Sequence, residues 1–421
     1  MALIFYVDNV GGGSGYSGSS SGSPKASGTM AVTTTSSATV SLSGDTPNLS
    51  TAVIGDTIRL DTRTDGIRST DIFEITAVDD TLDTVNVTPT PTGPTTTGVW
   101  VIGGAFNNIG RPADLSSPGD KTWIKNSDTY KESVNLTRAG SNVGSIIYEG
   151  YTAITGDKGI AVIDGENTRS SGIYDNTASN DIYHVFKNIE VINHTGNGAD
   201  ISSSFITWKN CKFNNNDGNG FRLITRGLNF FEACEFNDNG GCGFSGAVLS
   251  TFNQLAFIGC DFMRNVFNGA CSDASIYSYC TLFDNSIAQI KAIDDKILFI
   301  NNCTIDGQDK DNIGVDAGSI VVENVFLINT IIVGCASGFI ASSGMTERLT
   351  SRSNCFYDNI INYVSGALTN ENEILDDPKF FGRAAQDYRL TSSSPCIGQG
   401  YDGASLSGYT FGCDIGAYQS I

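Results

Sequence analysis

The sequence predicts an all-β chain built around a right-handed, single-stranded parallel β-helix of about ten coils, with a small antiparallel β-domain inserted near the N-terminus. Three observations lead there. A fixed pattern of residue types returns about every 24 residues through the middle of the chain. The composition favours turns over helices, with 48 glycines in 421 residues and only 17% charged residues. Between residues 31 and 106 the texture changes to short alternating strands separated by turn residues.

Taken in order, residues 1–30 hold a first strand, "LIFYVDNV", and then a Gly/Ser-rich loop at 11–30. Residues 31–106 contain "ATVSLSG", "GDTIRLDT", "DIFEITAVD", "DTVNVTPTPT" and "GVWVIGG", which predict a small antiparallel barrel or sandwich. The parallel β-helix is expected over 107–373. "NNIGRPADLSSPGD" (107–120) has room for a short capping helix, and the stretches 120–136 and 144–165 read as the first coils. Residues 374–421 form the expected C-terminal cap.

The repeat is easiest to follow through a marker position occupied by Ile189, Cys211, Cys234, Cys260, Cys280, Cys303, Thr330 and Cys355. The steps are 22, 23, 26, 20, 23, 27 and 25 residues, the length of a β-helix coil. Three positions earlier stand Phe186, Trp208, Phe231, Phe257, Tyr277, Ile300 and Leu327; only Arg352 breaks the column. Two positions later stand Val191, Phe213, Phe236, Phe262, Leu282, Ile305, Ile332 and Tyr357. The alternation of marker, polar residue and apolar residue places marker and marker +2 inward and marker +1 outward. Just before the marker, Asn188, Asn210, Ala233, Gly259, Tyr279, Asn302, Asn329 and Asn354 read as the corner, a place that asks for the left-handed conformation. Five residues after the marker, Asn216, Asn239, Asn265, Asn285 and then Gln308 read as a stacked polar ladder. Parallel strands joined by crossovers coil right-handedly.

A net charge of −20 sets the chain against nucleic acid and anionic membranes, so neither is an expected partner. No 18-residue apolar run exists, and the start lacks the basic region of a signal peptide. The 11 cysteines are odd in number, contain no CxxC pair and lie far in sequence from ligand-spaced histidines, since His184 and His194 are the only two. Neither a metal, nor a cofactor, nor a disulfide framework is expected, and the thiols read as small buried apolar groups made in a reducing compartment.

The C-terminal text "DDPKFFGRAAQDYRLTSSSPCIGQG" followed by "GCDIGAYQ" resembles the end of many pectate-lyase-like right-handed β-helix proteins. The matching residues are Asp377, Pro378, Phe380, Asp387, Tyr388, Arg389, Leu390, Ser394, Pro395, Cys396, Ile397, Gly398, Asp414, Ile415, Gly416, Ala417 and Tyr418. "YVDNVGGGSG" resembles the family's opening. The resemblance implies the fold and leaves the function open, because that superfamily spans lyases, glycosidases, surface proteins and phage spikes.

The catalytic strings of pectate lyases and polygalacturonases are absent. The one candidate pair is Glu235 and Asp261, outward neighbours at marker +1 beside Glu190 and Lys212 and one strand spacing of ~4.8 Å apart. Two carboxyls that close can share a proton or serve a retaining glycosidase. A polar outer face in an acidic protein, with Lys212 offsetting part of the charge, explains them better, so the expected set of catalytic residues is none. Without an export signal or a catalytic set, the sequence reads as a non-enzymatic bacteriophage virion protein, made in the host cytoplasm and carried on the particle surface. A capsid cement or decoration protein is the first form of that reading, with the major capsid protein or other virion proteins as partners and a homotrimer as the expected assembly. The alternatives are a tailspike that depolymerises host surface polysaccharide and a cell-surface carbohydrate-binding protein.

Overall fold

The computed structural model describes residues 4–8, 24–28, 32–33, 39–42, 49, 57–61, 72–79, 82, 84–88, 99–103, 105–175, 181–224, 228–246, 254–272, 275–293, 297–308, 311–318, 324–341, 349–364, 370–401 and 414–416. They fall into two compact units, Met1–Asp164 with Asn176–Ile189, and Gly165–Asp175 with Glu190–Ile421. The parallel β-helix has about nine turns, close to the ten expected.

In the first unit, Ile4–Val7, Lys121–Lys125, Ile146–Tyr151 and Asp181–Lys187 pair side by side, all parallel. The short helix expected in 107–120 is present at Gly110–Leu115, and the Glu132 carboxylate accepts the Ile109 and Gly110 N–H groups at its start (2.7 and 3.1 Å). The insert is one antiparallel sheet in the order Pro24–Gly28, Val99–Gly103, Thr57–Asp61, Ile72–Asp79, Thr84–Thr88, Thr39–Leu42, Val32–Thr33. Its buried cluster is Val40, Leu42, Ile58, Ile75, Val85 and Val87, inward residues of four of the strands, with Leu49 from outside them. Strand Pro24–Gly28 lies inside the segment read as loop. Its "PKASG" carries no apolar alternation, and backbone pairing with Val99–Gly103 makes it a strand.

In the second unit each coil contributes strands to three parallel sheets. One coil runs Ser204–Lys209 on the first face, Lys212–Asn214 on the second and Phe221–Leu223 on the third, and the next begins at Leu228–Glu232. The corner between first and second faces is a single left-handed residue: Asn210, Ala233, Gly259, Tyr279, Asn302 and Asn329 all have φ between 50° and 59°. Asn and Gly tolerate this geometry best, which explains their frequency there.

The interior is built of stacks that run from coil to coil. Trp208, Phe231, Phe257 and Tyr277 stack with centroids 6.4, 4.9 and 5.0 Å apart. Phe213, Phe236 and Phe262 follow on the second face at 5.4 and 4.8 Å, and Phe221 with Phe244 on the third at 5.4 Å. The parallel register fixes each ring over its predecessor, and rings of adjacent faces meet edge-on, the arrangement the ring quadrupole favours. The marker thiols Cys211, Cys234, Cys260, Cys280 and Cys303 are fully buried, and no described cysteine forms a disulfide. From Cys234 on, each donates to a carbonyl of the preceding coil: Trp208, Phe231, Phe257 and Tyr277, at 3.3–3.6 Å.

Two details of the repeat differ from the expectation. The polar ladder runs His194, Asn216, Asn239, Asn265, Asn285 and ends on Gln289, not Gln308. Each Asn Nδ2 donates to the Oδ1 of the next (3.2, 3.0 and 2.8 Å), Asn285 closes on Gln289 Oε1 at 2.6 Å, and His194 Nδ1 meets Asn216 Oδ1 at 3.2 Å. Gln308 takes a left-handed turn instead, its N–H donating to Asp306. The last coil is also shifted by one residue. Ile331 pairs with Cys355 and Ile332 with Phe356, and the corner falls on Ser353 rather than Asn354. Cys355 therefore occupies the marker +1 place on the outer side and leaves the thiol column. Asn354 takes the column position, bonding Thr330 N–H and Leu327 C=O. Arg352 no longer breaks the apolar column, because Ser351 is the residue opposite Leu327.

Candidate functional site

The second face presents the candidate residues on consecutive strands. Glu190 pairs with Lys212, Lys212 with Glu235, Glu235 with Asp261 and Asp261 with Thr281, so all five form one outward column. Their alternation with buried Val191, Phe213, Phe236, Phe262 and Leu282 is what turns them outward. The structure thus brings Glu235 and Asp261 onto adjacent strands, one sheet spacing of ~4.8 Å apart.

Their electrostatics differ. Lys212 Nζ lies 2.9 Å from Glu235 Oε1, and both side chains are about a third exposed. Burial pushes the Asp261 carboxyl up to about 7, and the Thr281 hydroxyl opposes that shift by bonding the charged form. Burial also raises Glu190, with Lys212 pulling it down and Glu235 pushing it up. A carboxyl raised toward neutrality by burial next to a second carboxyl is the layout of an acid–base pair. Glu235, however, is held by Lys212 rather than open to a substrate.

The face beyond Asp261 is closed. The next outward residues, Thr281, Thr304 and Ile331, are 1%, 0% and 0% exposed. The C-terminal segment lies over the last two of them. Gly416 sits so close that a Cβ there would come within 2.8 Å of Ile331 and 3.2 Å of Thr304, and its N–H bonds Asn329 C=O. Ile331, Val333 and Cys355 share a small apolar core with Leu390, Cys396 and Ile415.

The residues of the C-terminal motif act in this closure. Tyr388 donates to Asp306 Oδ2 at 3.1 Å and packs edge-on against Phe380 at 5.2 Å. Gly398 N–H bonds the buried Asp414 carboxylate at 3.0 Å. Ala417 and Tyr418 lie outside the described residues. Sequence reading missed the group at its centre: Arg383 grips the fully buried Asp306 with two bonds, 2.9 and 2.7 Å, and reaches Asp358 at 3.4 Å. Asp306 sits in an outward column where a buried acid gives no pattern signal. A cavity of about 220 Å³ opens beside Arg383, lined also by Val333, Tyr357, Asp377, Pro378, Lys379 and Phe380, and does not include Glu235 or Asp261. Among the described residues no group of three or more His, Cys, Asp or Glu side chains is placed to hold a metal ion, and no helix is long and apolar enough to cross a membrane.

No protein-family model and no curated protein matches the chain. Among solved structures, pectate lyase Pel9A superposes with a TM-score of 0.54 at 15% identity, over 75% of this chain and 91% of that one. An alginate lyase from Paenibacillus sp. str. FPU-7 gives 0.42 at 11% identity, over 64% of this chain and 95% of that one. The tailspike gp49 of Acinetobacter baumannii bacteriophage Fri1, a capsular polysaccharide depolymerase, gives 0.38 at 13%, over 75% and 72%. Likeness at such identities is likeness of fold, and the first of the three carries it. The chain has the right-handed parallel β-helix fold of the pectate lyases.

Proposed function

We propose that the protein is a non-enzymatic structural component of a bacteriophage particle, carried on the particle surface and bound to other virion proteins. The observation that carries the non-enzymatic part is the closed second face. A polysaccharide laid along that face past Asp261 meets the buried Thr281 and then the C-terminal segment over Thr304 and Ile331, and Glu235 is already paired with Lys212. Continuous ring, thiol and amide ladders through successive coils suit a stiff scaffold. Buried, unbridged thiols suit a chain that folds in a reducing host cytoplasm. Capsid decoration, with the antiparallel sheet of residues 24–103 as the attachment element, is the first form of this reading.

A second reading has its own observation. The Asp261 carboxyl, raised to about 7 beside Glu235, is suited to act as a general acid in a tailspike depolymerase. Incubation with capsular polysaccharide and lipopolysaccharide of the host separates the two. The structural reading expects no change in polymer chain length by size-exclusion chromatography. Shortening by the parent chain that is lost in Asp261→Asn or Glu235→Gln would replace it with the depolymerase.

A further inference from the structure

The first face of the second unit carries an apolar stripe on its outer side. Phe230, Ala256, Ile276, Phe299 and Phe326 are paired in register on five consecutive strands, and all point away from the interior. Leu228 and Ile297 flank the column on one side, Ile258 and Ile328 on the other. Leu228, Ile258, Ile276 and Ile297 are 41%, 37%, 42% and 49% exposed. Five strands at ~4.8 Å make a patch roughly 20 Å long and three residues wide, in the size range of functional surface patches. Its rim is polar: Thr207, Ser278, Asn301, Asn324 and Thr350. An apolar centre inside a polar rim is the anatomy of a protein interface.

The charges on this face favour a copy of the same chain as occupant. A molecule of net charge −20 repels its own copies over most approaches. Among the described residues of this face the charges are Lys209 with Glu232 (2.7 Å) at one end of the stripe, and Arg352 with Glu371 (2.9 Å) at the other. They sum to zero. The second face, by contrast, presents Glu190, Glu235 and Asp261 against one lysine. Two stripes laid together in opposite directions bring Lys209 and Glu232 to the neighbour's Glu371 and Arg352. The face is thus neutral, apolar and self-complementary in charge.

We infer that the protein self-associates through this stripe, centred on Ile276, Phe299 and Phe326, into a closed oligomer of identical chains. The inference is independent of the virion reading, because it concerns only how copies meet. Light scattering coupled to size-exclusion chromatography of the full chain at micromolar concentration tests it. The expected mass is two or three times the 44.6 kDa chain. Ile276→Asp, an exposed position whose substitution leaves the interior stacks in place, is expected to weaken association at least tenfold and give the single-chain mass. Phe326→Asp should do the same, while Val143→Asp, a 92% exposed apolar residue elsewhere, should leave the mass unchanged. Circular dichroism confirms that each variant keeps its strands. A monomeric parent overturns the inference, and so does an oligomer that survives both stripe variants with the fold intact.

Discussion

Asp261 shows how burial gives one outward residue of this fold an unusual titration. Its carboxyl is raised to about 7 from an ordinary 3.8 by burial. A group raised in this way stabilises the fold as its neutral form. The contribution is complete below about pH 4 and is lost as pH rises through about 7. Asp261→Asn keeps the neutral form at every pH. The variant is expected to melt higher than the parent at pH 8, by on the order of 1 kcal/mol, with the difference closing by pH 4 in thermal scans at both values. Asp306 is the opposite case, a fully buried acid held by Arg383 and Tyr388. Arg383→Met removes its ion-pair partner and should cost about 3 kcal/mol, read as a lower urea midpoint at unchanged slope. Sequence made Asp261 visible through its column. It gave no sign of Arg383, because the pairing spans 77 residues and follows no repeat.

Within the coils, the repeat was legible because a parallel register copies each residue onto its neighbour. Large apolar residues at two fixed places predicted the ring stacks, and the Asn/Gly corner followed from its backbone conformation. Cys355 misled. A buried thiol marks the interior column in five coils, but the last coil is one residue out of step and its thiol is buried on the outside, against the C-terminal segment. Arg352 was the warning, since a charged residue in an apolar column signals a slipped register. The amide ladder was read correctly from Asn216 to Asn285. Its ends were missed because His194 and Gln289 continue the bonding with other side-chain chemistry. Asn239 bonds Asn265 Oδ1 and Phe213 C=O and accepts from Asn216. Asn239→Leu leaves those buried groups unpaired and should cost roughly 2–4 kcal/mol. Hydrogen exchange should show the protection loss first at the N–H of Asn216, which loses its acceptor. Trp208→Ala, at the start of the longest ring stack, should cost roughly 3–5 kcal/mol by urea unfolding.

At the scale of the whole molecule, the fold class was legible and the insert was legible as a β-element, apart from the strand at Pro24–Gly28 that backbone pairing alone creates. The β-helix fold is shared with polysaccharide-acting proteins, and fold does not carry their chemistry with it. This chain has a second face covered at Thr304 and Ile331 by its own C-terminal segment, a Lys212–Glu235 pair, and an apolar stripe on a strongly acidic molecule. These features are the support for the structural role proposed above. Mass spectrometry of gradient-purified phage particles, from a lysate that contains the protein, tests the proposed role as a structural part of a virion. A structural role predicts the chain at a fixed copy number relative to the major capsid or tail proteins, retained through washing. Particles that lack it, with the chain recovered only from the lysate, would rule that role out.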